Sequence, residues 1–264
     1  MQSKLISESE IQEMLQFTSV SHAAAWLKRT PEYAKAWADL DETSLHRGQI
    51  EKLLKASIFK DFSKIYQFAN PEQRKFLDLY SRRYEIRVLK EIMTNLFDHK
   101  STDAVDVSPY CDFFRRHSKL DLDRLTACTT MDEFINALKG NEFYVPLSRI
   151  QNHDTALLFD YGMALDLYYF SMIWNVRKKL FSGKDLEQIT TAYGEKFDML
   201  NLQFISRSKR YFSMAPADIY ALLIPMNYKL KKEEITALVE ASTREEAQQI
   251  FRKTYYGKKY DHLS

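Results

Sequence analysis

The side chains that come nearest to chemistry in this sequence are polar groups set inside apolar helical stretches. Asp198 and Asn201 lie three residues apart in the stretch 195–211, and Phe197, Leu200, Leu202, Phe204 and Ile205 mark that stretch as a helix buried on most of its surface. Asn is a poor helix-interior residue, so its place here calls for a packing or hydrogen-bonding reason. A basic tail follows at Arg207, Lys209 and Arg210. Glu51, Glu85 and Asp166 are acidic groups in comparable apolar settings. Such groups either meet a backbone or basic partner within the bundle, holding helix register, or face a groove that receives a partner.

Catalytic constellations are missing. The histidines, His22, His46, His99, His117, His153 and His262, form no H-x-x-x-H pair, and there is no Gly-rich phosphate loop, GxSxG elbow or CxxC. His153-Asp154 precedes a helix, where an Asp reads as an N-cap before it reads as half of an acid–base pair. Asp121 and Asp123 beside Arg124 lack the spacing of a diphosphate-binding motif and the second acidic cluster it needs, so helix-start electrostatics accounts for them. Cys111 and Cys128 lack metal-ligand spacing and are too few for a disulfide scaffold, which points to a reducing compartment. The sequence therefore reads as non-catalytic, with no cofactor and no metal.

The elements that must position these groups are helices. Only 6 Gly and 6 Pro punctuate 264 residues, which argues for long helices and short loops, and 17 Phe with 16 Tyr make much of the packing aromatic. A net charge of +2 does not demand a polyanionic partner, and basic pairs such as Arg82-Arg83, Arg115-Arg116 and Arg177-Lys178-Lys179 read as solvated helix faces. Gln2 to Glu13 is too polar for a signal peptide, and no apolar run approaches the roughly 20 residues that span a bilayer. No direct transmembrane insertion is expected.

Three kinds of segment recur in one order. The first has a Leu, a Ser/Thr helix start, a short helix and a terminal Tyr: Leu15 to Tyr33, Leu125 to Tyr144, and Leu238 to Tyr256. Thr130 with Glu133, and Ser242 with Glu245, have the S/T-x-x-E spacing of a capping box. The second is a long helix, from Ile50 to about Phe68 and again through Leu165 to about Phe181. The third is the stretch around Asp198, which matches Tyr84 to Ile92, Asp198 following Glu85 by 113 residues. This predicts an all-α chain of two complete and one partial helical-bundle repeats of about 110 residues, over 1–110, 111–227 and 228–264. The third repeat begins with the first kind of segment and lacks both long helices. Such a chain is expected to expose apolar surface and to self-associate.

This pattern resembles the C-subunit family of archaeal and bacterial V-type (A/V-type) rotary ATPases, whose counterpart in eukaryotic vacuolar enzymes is the d-type component. The resemblance covers essentially the whole chain. It rests on the three Leu-to-Tyr segments and on the helices Asp198-Met199-Leu200-Asn201-Leu202-Gln203 and, more weakly, Glu85-Ile86-Arg87-Val88-Leu89-Lys90. Val88 stands where the family prefers Asn. The family's third copy of this helix and its usual N-terminal helix before Met1 have no counterpart. The resemblance implies an open funnel of helical units on the cytoplasmic face of the membrane. It implies as partners the central stalk subunits and the membrane rotor ring, coupled for proton or sodium ion transport with ATP hydrolysis or synthesis. A stalk socket is expected at Glu85, Arg87, Lys90, Asp198, Asn201, Arg207 and Arg210.

Two other classes fit the composition. A helical-repeat scaffold unrelated to rotary motors would bind a peptide or helix in a groove. A nucleic-acid binder would use Arg82, Arg83, Arg115, Arg116, Arg207, Lys209 and Arg210 with nearby Tyr residues, and the near-neutral total charge opposes it. No nucleic-acid partner is expected.

Overall fold

The computed structural model describes residues 6–31, 33–34, 45–98, 111–151 and 156–260, and every regular element among them is a helix, as the sequence predicts. The chain divides into two compact units, one from Met1–Ser81 with Arg87–Ala137, the other from Arg82–Ile86 with Leu138–Ser264.

The first unit holds α1 (Glu8–Met14), α2 (Val20–Arg29), α3 (Arg47–Phe68), most of α4 (Pro71–Phe97), α5 (Cys111–His117), α6 (Leu122–Thr126) and α7 (Met131–Ala137). Ala24 and Leu27 of α2 and Ile50 of α3 form one buried cluster, joined by Trp26, Tyr33, Leu53 and Leu54. At the far end of α3, Phe59 and Phe62 meet Phe113 of α5 with ring centroids 5.0 and 5.2 Å apart, within the range of favourable aromatic pairs. The α3–α4 turn is closed from both sides. Asn70 and Gln73 form a reciprocal capping box with Pro71 at the first helical position, and the Arg74 guanidinium donates to the Tyr66 and Gln67 carbonyls that end α3.

The second unit holds the Arg82–Ile86 turn of α4, then α8 (Tyr144–Gln151), α9 (Leu158–Leu180), α10 (Gly183–Phe212), α11 (Pro216–Leu222), α12 (Lys232–Glu240), α13 (Arg244–Lys253) and α14 (Tyr255–Lys259). The 30-residue α10 is its axis. One buried stripe of α10 runs Tyr193, Gly194, Phe197, Asp198, Asn201, Ile205 and Ser208, spacings of three and four that keep one helix face inward. Phe170 and Trp174 of α9 meet Phe197 in tilted and edge-on contacts, with ring centroids 5.1 and 5.7 Å apart. Ile205 packs with Ile219, Leu230, Ile235, Leu238, Val239 and Tyr256, so α11 to α14 close over the C-terminal half of α10.

The predicted helix starts are present with one shift. The Glu133 N–H donates to Thr130 Oγ1, and the Glu133 carboxylate accepts from Thr129 N–H, capping α7. At α13 the cap is Thr243 with Glu246, one residue beyond the predicted Ser242 and Glu245, because Thr243 is the extended residue before the first helical turn. Arg177 departs from the solvated-face reading. It is 8 % exposed, its guanidinium lies 3.4 Å from the Trp174 ring centroid and donates to Thr190 Oγ1, and burial lowers its pKa.

Candidate functional site

Asp198 has no solvent exposure. Its Oδ1 accepts from the backbone N–H of Tyr228 at 3.0 Å, and its Oδ2 accepts from Lys229 N–H at 2.6 Å, Leu230 N–H at 2.9 Å and the Tyr256 hydroxyl at 2.8 Å. One carboxylate on α10 thus satisfies three consecutive backbone donors of the segment between α11 and α12, and one side chain of α14. A buried carboxyl is retained here because four donors replace its hydration. Tyr256, also fully buried, has its pKa raised by burial and by the hydrogen bond to Asp198, so its hydroxyl stays a donor.

Asn201, one turn further on, is equally buried and answers the same segment. Its amide donates to the Ile224 carbonyl at 3.0 Å, and its oxygen accepts from Ile224 N–H at 2.8 Å. Together Asp198 and Asn201 staple the 224–230 segment to α10 through five hydrogen bonds, and Asp198 adds a sixth to Tyr256. This is the hydrogen-bonding reason that an Asn in a buried helix calls for.

Two further residues complete the arrangement. Gly194 lies beneath Tyr228, and a Cβ there would stand 2.5 Å from the ring's Cγ and 2.8 Å from its Cβ, closer than carbon atoms approach. Lys259 of α14 pairs with Glu195 at 2.7 Å, which raises the Lys259 pKa. Gly194 and the main chain of 224–230 are not named by sequence reasoning. Their only signals are the awkward Asn201 and the turn-rich Pro225-Met226-Asn227 that follows α11.

The remaining predicted site residues occupy three places. Glu85, 1 % exposed in the second unit, accepts from Arg82 at 3.0 Å, and Arg82 also pairs with Glu142 at 2.7 Å. The Tyr168 hydroxyl donates to Glu142 at 2.7 Å, and burial together with that carboxylate raises its pKa. Arg82 is therefore committed to internal ion pairs. Arg87 is exposed and Lys90 half-buried on the part of α4 that belongs to the first unit.

Arg207 and Arg210 are exposed on the last turns of α10. There Arg210 lies over the Tyr211 ring at 5.1 Å, Tyr211 and Phe212 are 62 % and 67 % exposed, and Lys209 donates to the Ala241 carbonyl. The C-terminal end of α10 thus carries basic groups and uncovered aromatic rings side by side, anchored by its interior to α11–α14. Within the second unit, the structure brings Asp198 and Asn201 together and leaves Arg207 and Arg210 at the surface.

Among the described residues no three His, Cys, Asp or Glu side chains are grouped to hold a metal, and no helix is long and apolar enough to cross a membrane. The His153-Asp154 pair lies outside the described residues.

Comparison with known proteins gives one consistent result. Residues 1–264 match the family described as ATP synthase (C/AC39) subunit. The C subunit of the A-type ATP synthase of Methanothermobacter thermautotrophicus is 21 % identical over 243 residues, which cover 90 % of this chain and 59 % of the relative. That of Methanosphaera stadtmanae is 20 % identical over 260 residues, covering 96 % of this chain and 63 % of the relative. That of Methanosarcina mazei is 24 % identical over 203 residues, covering 76 % and 55 %. The chain spans roughly three fifths of the length of the curated relatives it matches.

Proposed function

The chain belongs to the ATP synthase (C/AC39) subunit family, and on that premise we propose that it is a non-catalytic adaptor of a rotary ATPase, joining the central stalk to the membrane rotor ring. In this reading it works on the cytoplasmic face of the membrane. It passes torque between ATP hydrolysis or synthesis in the head and proton or sodium ion movement in the ring. The observation that carries the reading is the family match along the whole chain.

The geometry supports it physically. Torque transmission requires stiff elements whose ends do not yield, and a close-packed interior supplies that stiffness. Asp198 and Asn201 add directional bonds that hold the 224–230 segment against α10, so a force applied at the C-terminal end of α10 is carried into α11–α14. We assign Asp198, Asn201 and Glu85 to this positioning role. The stalk contact in the second unit falls to Arg207 and Arg210 with Tyr211 and Phe212, since arginine and aromatic residues are the usual anchors of protein interfaces. Arg87 and Lys90 provide a contact on the first unit.

The test is binding of purified stalk subunits to this chain at physiological salt. Substituting Arg207→Glu and Arg210→Glu together is expected to weaken binding at least about tenfold, the scale for losing anchor residues. Unchanged affinity would place the stalk contact elsewhere.

A further inference from the structure

The first unit contains a titratable group with no part in this reading. His117, the last residue of α5, sits among the rings of Phe62, Tyr66 and Phe113, with centroids at 5.6, 4.4 and 5.4 Å. Its Nε2 is out of contact with solvent and has no hydrogen-bond partner, the one buried side-chain polar atom left so among the described residues. An unpaired ring nitrogen is a tolerable cost while the imidazole is neutral. It becomes a larger one when the ring is charged, because Nε2 then carries an N–H donor with no acceptor in hydrogen-bond reach.

We propose that His117 is a pH-sensitive latch, fastening α5 to α3 while its imidazole is neutral and releasing α5 when the ring takes up a proton.

The groups around it fix the direction. From α3, Phe62 presents its ring edge-on, and Tyr66 contributes a hydroxyl already hydrogen-bonded to Asp78, with Arg74 above the Tyr66 ring. From α4, the Asp78 carboxylate favours the protonated imidazole, and on α5 itself Arg116 opposes it, whereas Arg115 is turned to Asp112 at 3.7 Å. Burial is the largest influence and lowers the His117 pKa. In the released state the ring returns to its ordinary value near 6.5. The released state therefore holds more protons around that pH, so the docking of α5 is fully stabilised above about 6.5 and weakens as pH falls below it. Acidification opens the seam and neutralisation closes it.

Two measurements on the intact chain test the latch. The imidazole C–H resonance of His117, assigned by its disappearance in His117→Phe, is expected to titrate with a midpoint below about 6.5. Amide exchange over 111–117, corrected for the intrinsic pH dependence, is expected to accelerate several-fold between about pH 7.5 and 5.5, a range that brackets ordinary histidine titration. In His117→Phe the corrected exchange rate is expected to stay constant. A midpoint at or above that value overturns the proposal, as does an unchanged exchange rate in the parent chain or an equal acceleration in the variant. Should His117→Phe fail to fold, His117→Gln serves both as the assignment control and as the neutral comparator. Neither readout depends on stalk or ring binding, so the latch and the proposed function stand or fall separately.

Discussion

Asp198 shows how a single polar side chain is fixed by its surroundings. Removing it strands three backbone donors and a tyrosine hydroxyl in the interior, and each uncompensated donor costs about 1–3 kcal/mol, moderated by local rearrangement. Asp198→Ala is expected to lower unfolding stability by about 3–5 kcal/mol in urea titration, the scale of several stranded donors partly re-satisfied by rearrangement. Tyr256→Phe, which removes one donor and leaves the other three, should cost about 1 kcal/mol. A loss in Asp198→Ala no larger than that in Tyr256→Phe would contradict the shared hub. Asn201→Leu replaces two bonds to Ile224 by an apolar side chain, and its expected cost is about 2 kcal/mol. Because Asn201 is fully buried and Arg207 and Arg210 are exposed, stalk affinity should be unaffected by that substitution. Both polar groups were legible in the sequence as residues needing a reason. Their partners were not, because main-chain N–H groups leave no trace in residue types.

At the scale of elements, helix positions follow the sequence closely because periodicity and capping residues act locally. The predicted stretch 195–211 lies within α10 and the stretch 84–92 within α4, and Thr130 caps α7 as its spacing predicts. Where a shift occurs, at Thr243 rather than Ser242, two capping residues stand next to each other and one-residue differences in backbone angle decide between them. Close approaches between elements are a different matter. A glycine inside a helix is disfavoured on propensity alone, by which exchanging Gly194 for Ala should gain about 1 kcal/mol. The structure predicts the opposite sign. A methyl group there meets Cβ and Cγ of Tyr228, whose own N–H is held by Asp198, so neither side can retreat. Overpacking of this kind costs about 1–3 kcal/mol, and Gly194→Ala is expected to be less stable than the parent chain by thermal unfolding. A stabilised variant would show that the α10–Tyr228 approach is looser than described.

At the scale of the whole molecule, the all-helical class followed from scarce Gly and Pro and from apolar spacing, and the family from recurring segments. Which faces are wet did not follow. Arg177 and Arg82 both read as parts of solvated basic faces, yet Arg177 lies over Trp174 and Arg82 is engaged by Glu85 and Glu142. Both are settled by tertiary neighbours far away in sequence or on a packed helix face. In the proposed reading the exposed Arg207, Arg210, Tyr211 and Phe212 at the end of α10 meet the stalk, and the charge-reversal pair tests them. The most direct measurement of the adaptor role is affinity isolation of this chain from solubilised membranes of the cells that make it, with identification of whatever accompanies it. The account predicts central stalk and rotor ring subunits of a rotary ATPase in fixed proportion to the chain. Recovery of the chain without any rotary component would contradict it.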